Sequence, residues 1–117
     1  GQCCQPFHLG TRLPATAVLL MRSRYCAFAL GLGSYLADTV PPEKARDFAD
    51  RTVARQKACW VGLEIVNTKA GGLFENVGFV EFIASFVENG HRGTLHENSR
   101  FQRHNGKWLY VDGEMLP

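Results

Sequence analysis

The chain has 117 residues, 45% of them hydrophobic and 21% charged, which is typical of one soluble domain that buries its core without metal or disulfide support. Thirteen lysines and arginines against eleven acidic residues give a net charge of +2, and this modest, dispersed charge argues against a nucleic-acid-binding protein. The longest apolar run, residues 15–21, is far shorter than the roughly 20 residues that cross a bilayer, so the sequence predicts no membrane span.

The first 14 residues show no periodicity and are expected to form a leader segment. Cys3 and Cys4 within it suit metal chelation, because zinc prefers thiolates and an extended segment cannot cover two adjacent thiols. His8 is a candidate third ligand, but nothing nearby completes a tetrahedral set. The cysteines show no disulfide framework and therefore fit a reducing, cytoplasmic setting.

Three helices are predicted after the leader. The first is predicted over residues 16–30, and Gly31 stands where a helix usually ends. Residues 18–30 are apolar nearly all round this helix, as in a buried helix. A short helix over residues 34–38 ends before two prolines. Residues 43–57 carry apolar side chains at helical spacing, which predicts a surface helix with one buried stripe.

The apolar period changes from 3.6 to 2 after Cys59. Residues 60–66 predict a strand with Val61, Leu63 and Ile65 on one side. Three further strands are predicted to follow as a meander, because two Asn-Gly turns separate them.

The Asn89-Gly90 and Asn105-Gly106 turns set the register of these strands, since Asn-Gly is the strongest short signal for a two-residue hairpin. The registers pair Ala84 with Leu95, Phe82 with Glu97, Val80 with Ser99, Phe101 with Tyr110, and Arg103 with Trp108. Although set independently, they place eight mostly aromatic or aliphatic side chains on one face: Val80, Phe82, Ala84, Phe86, Leu95, Phe101, Trp108 and Tyr110. The sequence therefore predicts an α+β fold, in which N-terminal helices cover one face of an antiparallel sheet.

Charged residues interrupt both apolar surfaces. Arg22 and Arg24 lie within the helix that is apolar all round, and Glu97 shares the apolar face of the sheet, with Ser99 and Asp112 further along. A buried arginine cannot give up its proton, and a lone buried carboxylate is costly, so the two should pair. We expect an Arg22–Glu97 ion pair, and Arg24 with Glu97 or Asp112 is the alternative.

Two interpretations of this pair are open. In the first, the pair fixes how the helix docks on the sheet, with Ser99 and Tyr25 satisfying the remaining hydrogen-bonding capacity. In the second, helix and sheet leave a pocket with a polar floor, where Arg22, Glu97 and Trp60 bind a small ligand or carry acid and base chemistry.

Several sequence blocks together resemble the YchJ-like family of uncharacterised bacterial SEC-C motif proteins: LMRSRYCAF from residue 20, WVGL from residue 60, HENSRF from residue 96 and GKWLYVDG from residue 106. The resemblance implies that residues 15–117 form a nuclear transport factor 2-like cone, in which helices pack into a curved antiparallel sheet.

The resemblance also implies that residues 1–14 are the remnant of a SEC-C zinc motif. Such a motif has a Cys-x-Cys pair followed by Cys-Cys or Cys-His, so Cys3 and Cys4 would supply half of the site, and the first pair would precede Gly1. We therefore expect no cofactor in this chain itself and zinc in a longer parent chain, where the SEC-C segment would dock on a protein partner.

No reaction follows from the resemblance, because cone folds carry isomerases, dehydratases, transport adaptors and binding proteins alike. No nucleophile, base and orienting residue can be assembled from the sequence, so we favour a non-catalytic binding or protein-interaction module. The alternative is a small-ligand-binding protein, or an isomerase- or dehydratase-type enzyme that uses a carboxylate in the cone. An open cavity with Glu97 or Asp112 at its floor would favour the alternative. A cone that is filled by aromatic side chains would favour the interaction module.

Overall fold

The structure is a computed structural model that describes residues 5–10, 12–48 and 59–117. The described helices are α1 (Gln5–His8), α2 (Ala17–Leu30) and α3 (Gly33–Asp38), followed by a 3₁₀ helix over Pro42–Phe48. The described strands are β1 (Cys59–Ala70), β2 (Val77–Glu88), β3 (His91–His104) and β4 (Lys107–Met115), and they form one antiparallel sheet in the order β1-β2-β3-β4. Within these ranges, no helix combines the length and apolarity that a membrane span requires.

The first long helix forms where the sequence predicts it. Thr16 caps α2, its side-chain oxygen accepting a hydrogen bond from the backbone N–H of Leu19 at 3.3 Å. Gly31 ends the helix with φ 73°, the left-handed conformation that glycine adopts without strain. The described part of the helix predicted over residues 43–57 is helical, but it is a 3₁₀ helix over Pro42–Phe48, a geometry typical of connectors. Residues 49–58 lie outside the described part, so the rest of this helix stays a prediction.

Both hairpin registers are confirmed. Asn89 and Asn105 have φ of 53° and 52°, and the glycine after each has φ 80°. A two-residue type I′ hairpin turn requires positive φ at both of these positions. The predicted pairs are all present: Ala84 with Leu95, Phe82 with Glu97, Val80 with Ser99, Phe101 with Tyr110, and Arg103 with Trp108.

The core lies between α2 and one face of the sheet, as the alternation of apolar residues predicts. It contains buried side chains from the helix and from three strands: Ala17, Leu20, Met21, Val80, Phe82, Ala84, Phe101 and Trp108. The indole Nε1 of Trp108 donates to the backbone oxygen of Ala15 at 3.1 Å, which ties the start of the helix to β4.

Irregularities in two strands change which residues face the core. The pairing of β1 with β2 shifts between Trp60 and Gly62, so Trp60 faces inward and Val61 is 58% exposed. The prediction that Val61 shares a side with Leu63 is therefore wrong, because a bulge reverses the alternation of side chains at the extra residue. A similar shift in β4 affects Asp112, described below.

Candidate functional site

A cavity of about 400 Å³ opens between α2 and the inner face of the sheet. Its walls are mainly aromatic, formed by Tyr25, Phe28, Trp60, Phe82 and Tyr110. A mostly apolar wall with a few converging polar groups is typical of small-molecule sites, and the volume lies in their usual range.

Arg24 supplies the positive charge of this cavity. Its side chain is buried, and Nη1 donates to the backbone oxygen of Leu36 at 2.9 Å and to Thr39 Oγ1 at 2.6 Å. The guanidinium carbon lies 4.9 Å from the centre of the Tyr110 ring. Burial lowers the pKa of Arg24 to about 10, with Tyr110 and Glu97 among the groups that oppose the shift, so the guanidinium stays charged at neutral pH.

The predicted Arg22–Glu97 ion pair is wrong. Arg22 is exposed and does not line the cavity, whereas Arg24 lies on the buried stripe with Leu20 and Met21, four and three residues before it. Among the described side chains, no arginine forms a salt bridge with Glu97. The expectation that one guanidinium of this helix is buried is nevertheless confirmed, by Arg24.

Glu97 supplies the negative charge. Its Oε2 accepts a hydrogen bond from the Tyr110 hydroxyl at 3.1 Å and a close one from the hydroxyl of the buried Ser99. The expected Ser99 contact is therefore present. Tyr110 takes the place expected for Tyr25, whose ring instead packs edge-on against Trp60 with the ring centres 6.3 Å apart.

Burial, and then the nearby Glu97 carboxylate, raise the pKa of Tyr110 above its ordinary 10.0. We expect the phenol to stay protonated in the folded protein when the unfolded chain ionises. The folded state then holds a proton that the unfolded state has lost, so this group makes stability fall as pH rises above 10. Urea unfolding of wild type and Tyr110→Phe between pH 9 and about 11 checks this. Burial of Arg24 acts in the opposite direction in both proteins, and removing Tyr110, which raises the pKa of Arg24, enlarges that opposing effect in the variant. The stability of wild type should therefore fall more steeply with pH than that of Tyr110→Phe, and an equal or shallower fall contradicts the expectation.

Gly113 makes room for the Glu97 carboxylate. Gly113 pairs with Ser99, and a Cβ atom on Gly113 would stand 2.5 Å from Glu97 Cδ. Such a distance is too short for a real contact, so any side chain here would displace the carboxylate.

We expect Gly113→Ala to move the Glu97 carboxylate away from Tyr110 and lower the pKa of Tyr110 relative to wild type. Because a flexible side chain can give way, the loss of stability should be only about 1 kcal/mol. Spectroscopic titration of the tyrosines measures the first effect and urea unfolding the second. Glu97→Gln should lower the Tyr110 pKa in the same direction, and an unchanged tyrosine titration in both variants would contradict the arrangement.

Asp112 lies outside the cavity, contrary to its predicted place on the apolar face. The pairing of β3 with β4 shifts between Arg100 and Phe101, and the extra residue in β4 turns Asp112 to the other face. There its two carboxylate oxygens accept from Arg100 Nε at 3.0 Å and Nη2 at 2.8 Å. Both side chains are more than 40% exposed, so this ion pair is a surface contact of small energetic value.

Trp60 lines the cavity, as the pocket interpretation predicts. Its ring packs against Phe86 with ring centres 5.3 Å apart and against Tyr25 and Phe28 at slightly longer distances. The indole Nε1 is buried and forms no hydrogen bond with the described residues.

The expected zinc ligands Cys3 and Cys4 lie outside the described residues. His8 is described, and its Nε2 lies 2.8 Å from the backbone oxygen of Ser23 while its ring packs edge-on against Tyr35. Within the described ranges, no three His, Cys, Asp or Glu side chains come close enough together to hold a metal ion.

Sequence reasoning missed Tyr110 as the partner of Glu97, and Leu36 and Thr39 as the acceptors of Arg24. A signal for Tyr110 was present, because the hairpin registers place it on the same face as Glu97. Nothing comparable marks Thr39, whose contact with Arg24 depends on how α3 packs on α2.

A family model described as the middle NTF2-like domain of YchJ matches residues 16–113. The UPF0225 protein of Streptomyces coelicolor is 45% identical over 115 residues, which cover 98% of this chain and 87% of that protein. The UPF0225 protein YchJ of Shigella dysenteriae is 37% identical over 113 residues, covering 95% and 74% of the two chains.

Two solved structures are similar over 99% of this chain. The solution structure of a SEC-C motif containing protein from Rhodopseudomonas palustris has a TM-score of 0.86 at 32% identity, with 91% of that chain covered. The crystal structure of a SEC-C motif containing protein from Psychrobacter arcticus has a TM-score of 0.80 at 29% identity, with 72% covered. The expected nuclear transport factor 2-like arrangement of helices on a curved antiparallel sheet is therefore confirmed.

Proposed function

The chain belongs to the UPF0225 family that includes YchJ, and we propose that its domain is a non-catalytic binding module whose small-molecule ligand occupies the cavity under α2. One observation carries the proposal: the cone encloses an open space of about 400 Å³ with Glu97 on its wall, and is not filled by its aromatic residues. An accessible cavity of this size with a mostly apolar lining and a few polar groups is typical of small-molecule sites.

Native mass spectrometry of the gently purified protein tests this proposal. We expect part of the wild-type population to carry an additional small-molecule mass. Ala84→Phe should remove that mass, because Ala84 is buried in the cavity wall and the larger ring fills the space. Thr94→Phe is the matched control, since Thr94 is exposed and lies outside the lining of this cavity.

Circular dichroism confirms that both variants fold. The proposal fails if wild type carries no additional mass and also shows no rise in its unfolding midpoint with small aromatic compounds, because a ligand that binds only the folded state must stabilise it. Equal loss of bound mass in both variants would also contradict the cavity as the site.

A second candidate function is an isomerase-type enzyme with Glu97 as the base. It is favoured by one specific observation: the carboxylate reaches an open cavity and, among the described residues, no arginine forms a salt bridge with it. Glu97 would take a proton from a carbon next to a carbonyl and return it to another atom of the same molecule, so no co-reactant is needed. Ser99 and Tyr110 already donate hydrogen bonds to Oε2 of this carboxylate, so the protein itself occupies part of the group that would have to act as base, and we place this function second.

Hydrogen exchange at a carbon acid tests the second candidate. In heavy water, wild type should speed deuterium incorporation into tetralone, a bicyclic ketone that suits the cavity, and Glu97→Gln should not. If deuterium enters tetralone at the same rate with wild type, with Glu97→Gln and without protein, the enzyme candidate fails. The binding proposal would be unaffected by that result.

We also propose that a SEC-C segment next to this domain binds zinc in a longer parent chain and docks on a protein partner in the bacterial cytoplasm. The support is the SEC-C motif named for both similar structures and the thiols of Cys3 and Cys4, which are donors that zinc prefers. Native mass spectrometry of the full-length parent should show one zinc ion that is lost when Cys3 and Cys4 are replaced by serine. A parent chain without zinc would overturn this proposal.

A further inference from the structure

One oxygen of the Glu97 carboxylate is accessible and makes no hydrogen bond with the described residues. Both hydrogen bonds that the described residues donate to this carboxylate go to Oε2. In the described part of the chain, the buried side-chain nitrogen and oxygen atoms without a hydrogen bond are Trp60 Nε1 and Arg103 Nε, so Glu97 Oε1 is not enclosed. Since Glu97 lines the cavity, Oε1 is the oxygen that a bound molecule can reach.

This oxygen determines which group on a ligand would be complementary to it. An ionised carboxylate only accepts hydrogen bonds, and it has room for about four. Ser99 and Tyr110 already donate to Oε2 and hold the carboxylate in one orientation. A hydrogen bond to a charged acceptor is about twice as strong as one between neutral groups, so an N–H or O–H group on the ligand is the partner that Oε1 favours.

The cavity wall around Glu97 is apolar. Phe82 pairs with Glu97 across β2 and β3, and Leu95 precedes it by two residues on the same face, so these two side chains flank the carboxylate. The rings of Tyr25 and Trp60, whose centres are 6.3 Å apart, extend the wall further from the carboxylate. Aromatic walls of this kind suit a ring, which can stack on them or meet them edge-on. An apolar body that lies on this wall would reach Oε1 with one end.

We infer that the ligand of this cavity has an apolar, ring-containing body and donates an N–H or O–H hydrogen bond to Glu97 Oε1, an inference that rests on the proposed function. The body lies on Phe82 and Leu95, because these side chains flank the carboxylate. A molecule of the same shape without the donor would displace water from the carboxylate and replace none of its hydrogen bonds. Glu97 therefore selects among apolar molecules that fit the cavity.

Indole and N-methylindole test the inference, because they share one ring system and only indole carries a hydrogen-bond donor. NMR titration of isotope-labelled protein measures both affinities, and the backbone signals that shift report where the probe binds. We expect wild type to bind indole at least about tenfold more tightly than N-methylindole, the effect of one hydrogen bond to a charged group. The backbone signals of Leu95 and Glu97 should shift with indole.

Variants of Glu97 assign the contact. Glu97→Met keeps the length of the side chain but has no strong acceptor, so it should bind the two probes with equal affinity. A preference caused only by the size of the added methyl group would persist in this variant. Glu97→Gln keeps a neutral acceptor and should reduce the preference for indole at least about threefold.

Two further variants serve as controls. Glu81→Met removes a carboxylate that lines a different groove and not this cavity, so it should keep the wild-type preference for indole. Leu95→Ala removes part of the wall on which the ring lies and leaves the acceptor in place. It should weaken both probes severalfold and leave the ratio of their affinities unchanged.

The outcomes separate the inference from the proposed function. Equal affinity of wild type for the two probes, a preference that persists in Glu97→Met, or no binding of either probe overturns the inference. A protein that carries a co-purified small-molecule mass in any of these cases still supports the proposed function. If Glu97→Met does not fold, the wild-type ratio and Glu97→Gln decide, and an unchanged ratio in Glu97→Gln overturns the inference.

Discussion

Arg24→Ala is expected to lower the free energy of unfolding by about 3 kcal/mol. The variant loses two hydrogen bonds from a charged donor, to Leu36 and Thr39, and the packing of the guanidinium on the Tyr110 ring. It also leaves Glu97 without the nearby positive charge that balances it. In urea unfolding, this loss corresponds to a midpoint lower by about 1 to 2 M.

Arg22→Ala is the matched control, because it removes the same side chain from the exposed side of the same helix. It should change the free energy of unfolding by less than about 0.5 kcal/mol. Both substitutions raise the intrinsic helix propensity by the same small amount, so the difference between them reports the different surroundings of the two side chains. Equal effects, or a larger effect at Arg22, would show that the wrong arginine has been assigned to the core.

The sheet could be predicted in detail from the sequence because its register depends on local chemistry. Asn89-Gly90 and Asn105-Gly106 each favour one turn geometry, and a two-residue turn fixes the pairs of the strands that it joins as far as the first bulge. A slip by one residue would have turned Phe82 and Phe101 to the outside, so the apolar pattern supports the same register.

The bulges could not be predicted in the same way. Alternation along β4 places Asp112 on the face of Trp108 and Tyr110, and only the extra residue before it reverses that assignment. A bulge depends on how a strand fits its neighbours and carries no consistent residue signal unless glycine marks it. The same reason explains why Val61, next to a shift in β1, was expected inside and lies outside.

The identity of the buried arginine was undetermined for a different reason. When a helix is apolar nearly all round, the periodicity that normally shows which side faces the core is absent. Physical chemistry therefore predicted that a guanidinium would be buried near Glu97, and only the packing of α3 on α2 selects Arg24 through Leu36 and Thr39. The chemistry of the site was predictable, but the choice between two residues of the same type was not.

Gly78→Ala is expected to destabilise the protein by about 3 kcal/mol, because the helix and the first hairpin meet here with no space for a side chain. A Cβ atom on Gly78 would lie 2.5 Å from Gly71 Cα and 3.2 Å from Ala17 Cβ, and backbone cannot rotate out of the way. The backbone N–H of Ala17 donates to Gly71 at 3.0 Å, so separating the strands also lifts the start of α2 off the sheet.

Gly62→Ala is the matched control for Gly78→Ala, since both glycines lie within strands at negative φ. The nearest atom to a Cβ on Gly62 is Ser85 Cβ at 3.9 Å, an ordinary contact, so this variant should stay within about 0.5 kcal/mol of wild type. Urea unfolding of both variants measures the difference. Because α2 forms one wall of the cavity, Gly78→Ala should also reduce the small-molecule mass that native mass spectrometry detects on the folded protein. A variant with wild-type stability would mean that the helix does not lie this close to the sheet.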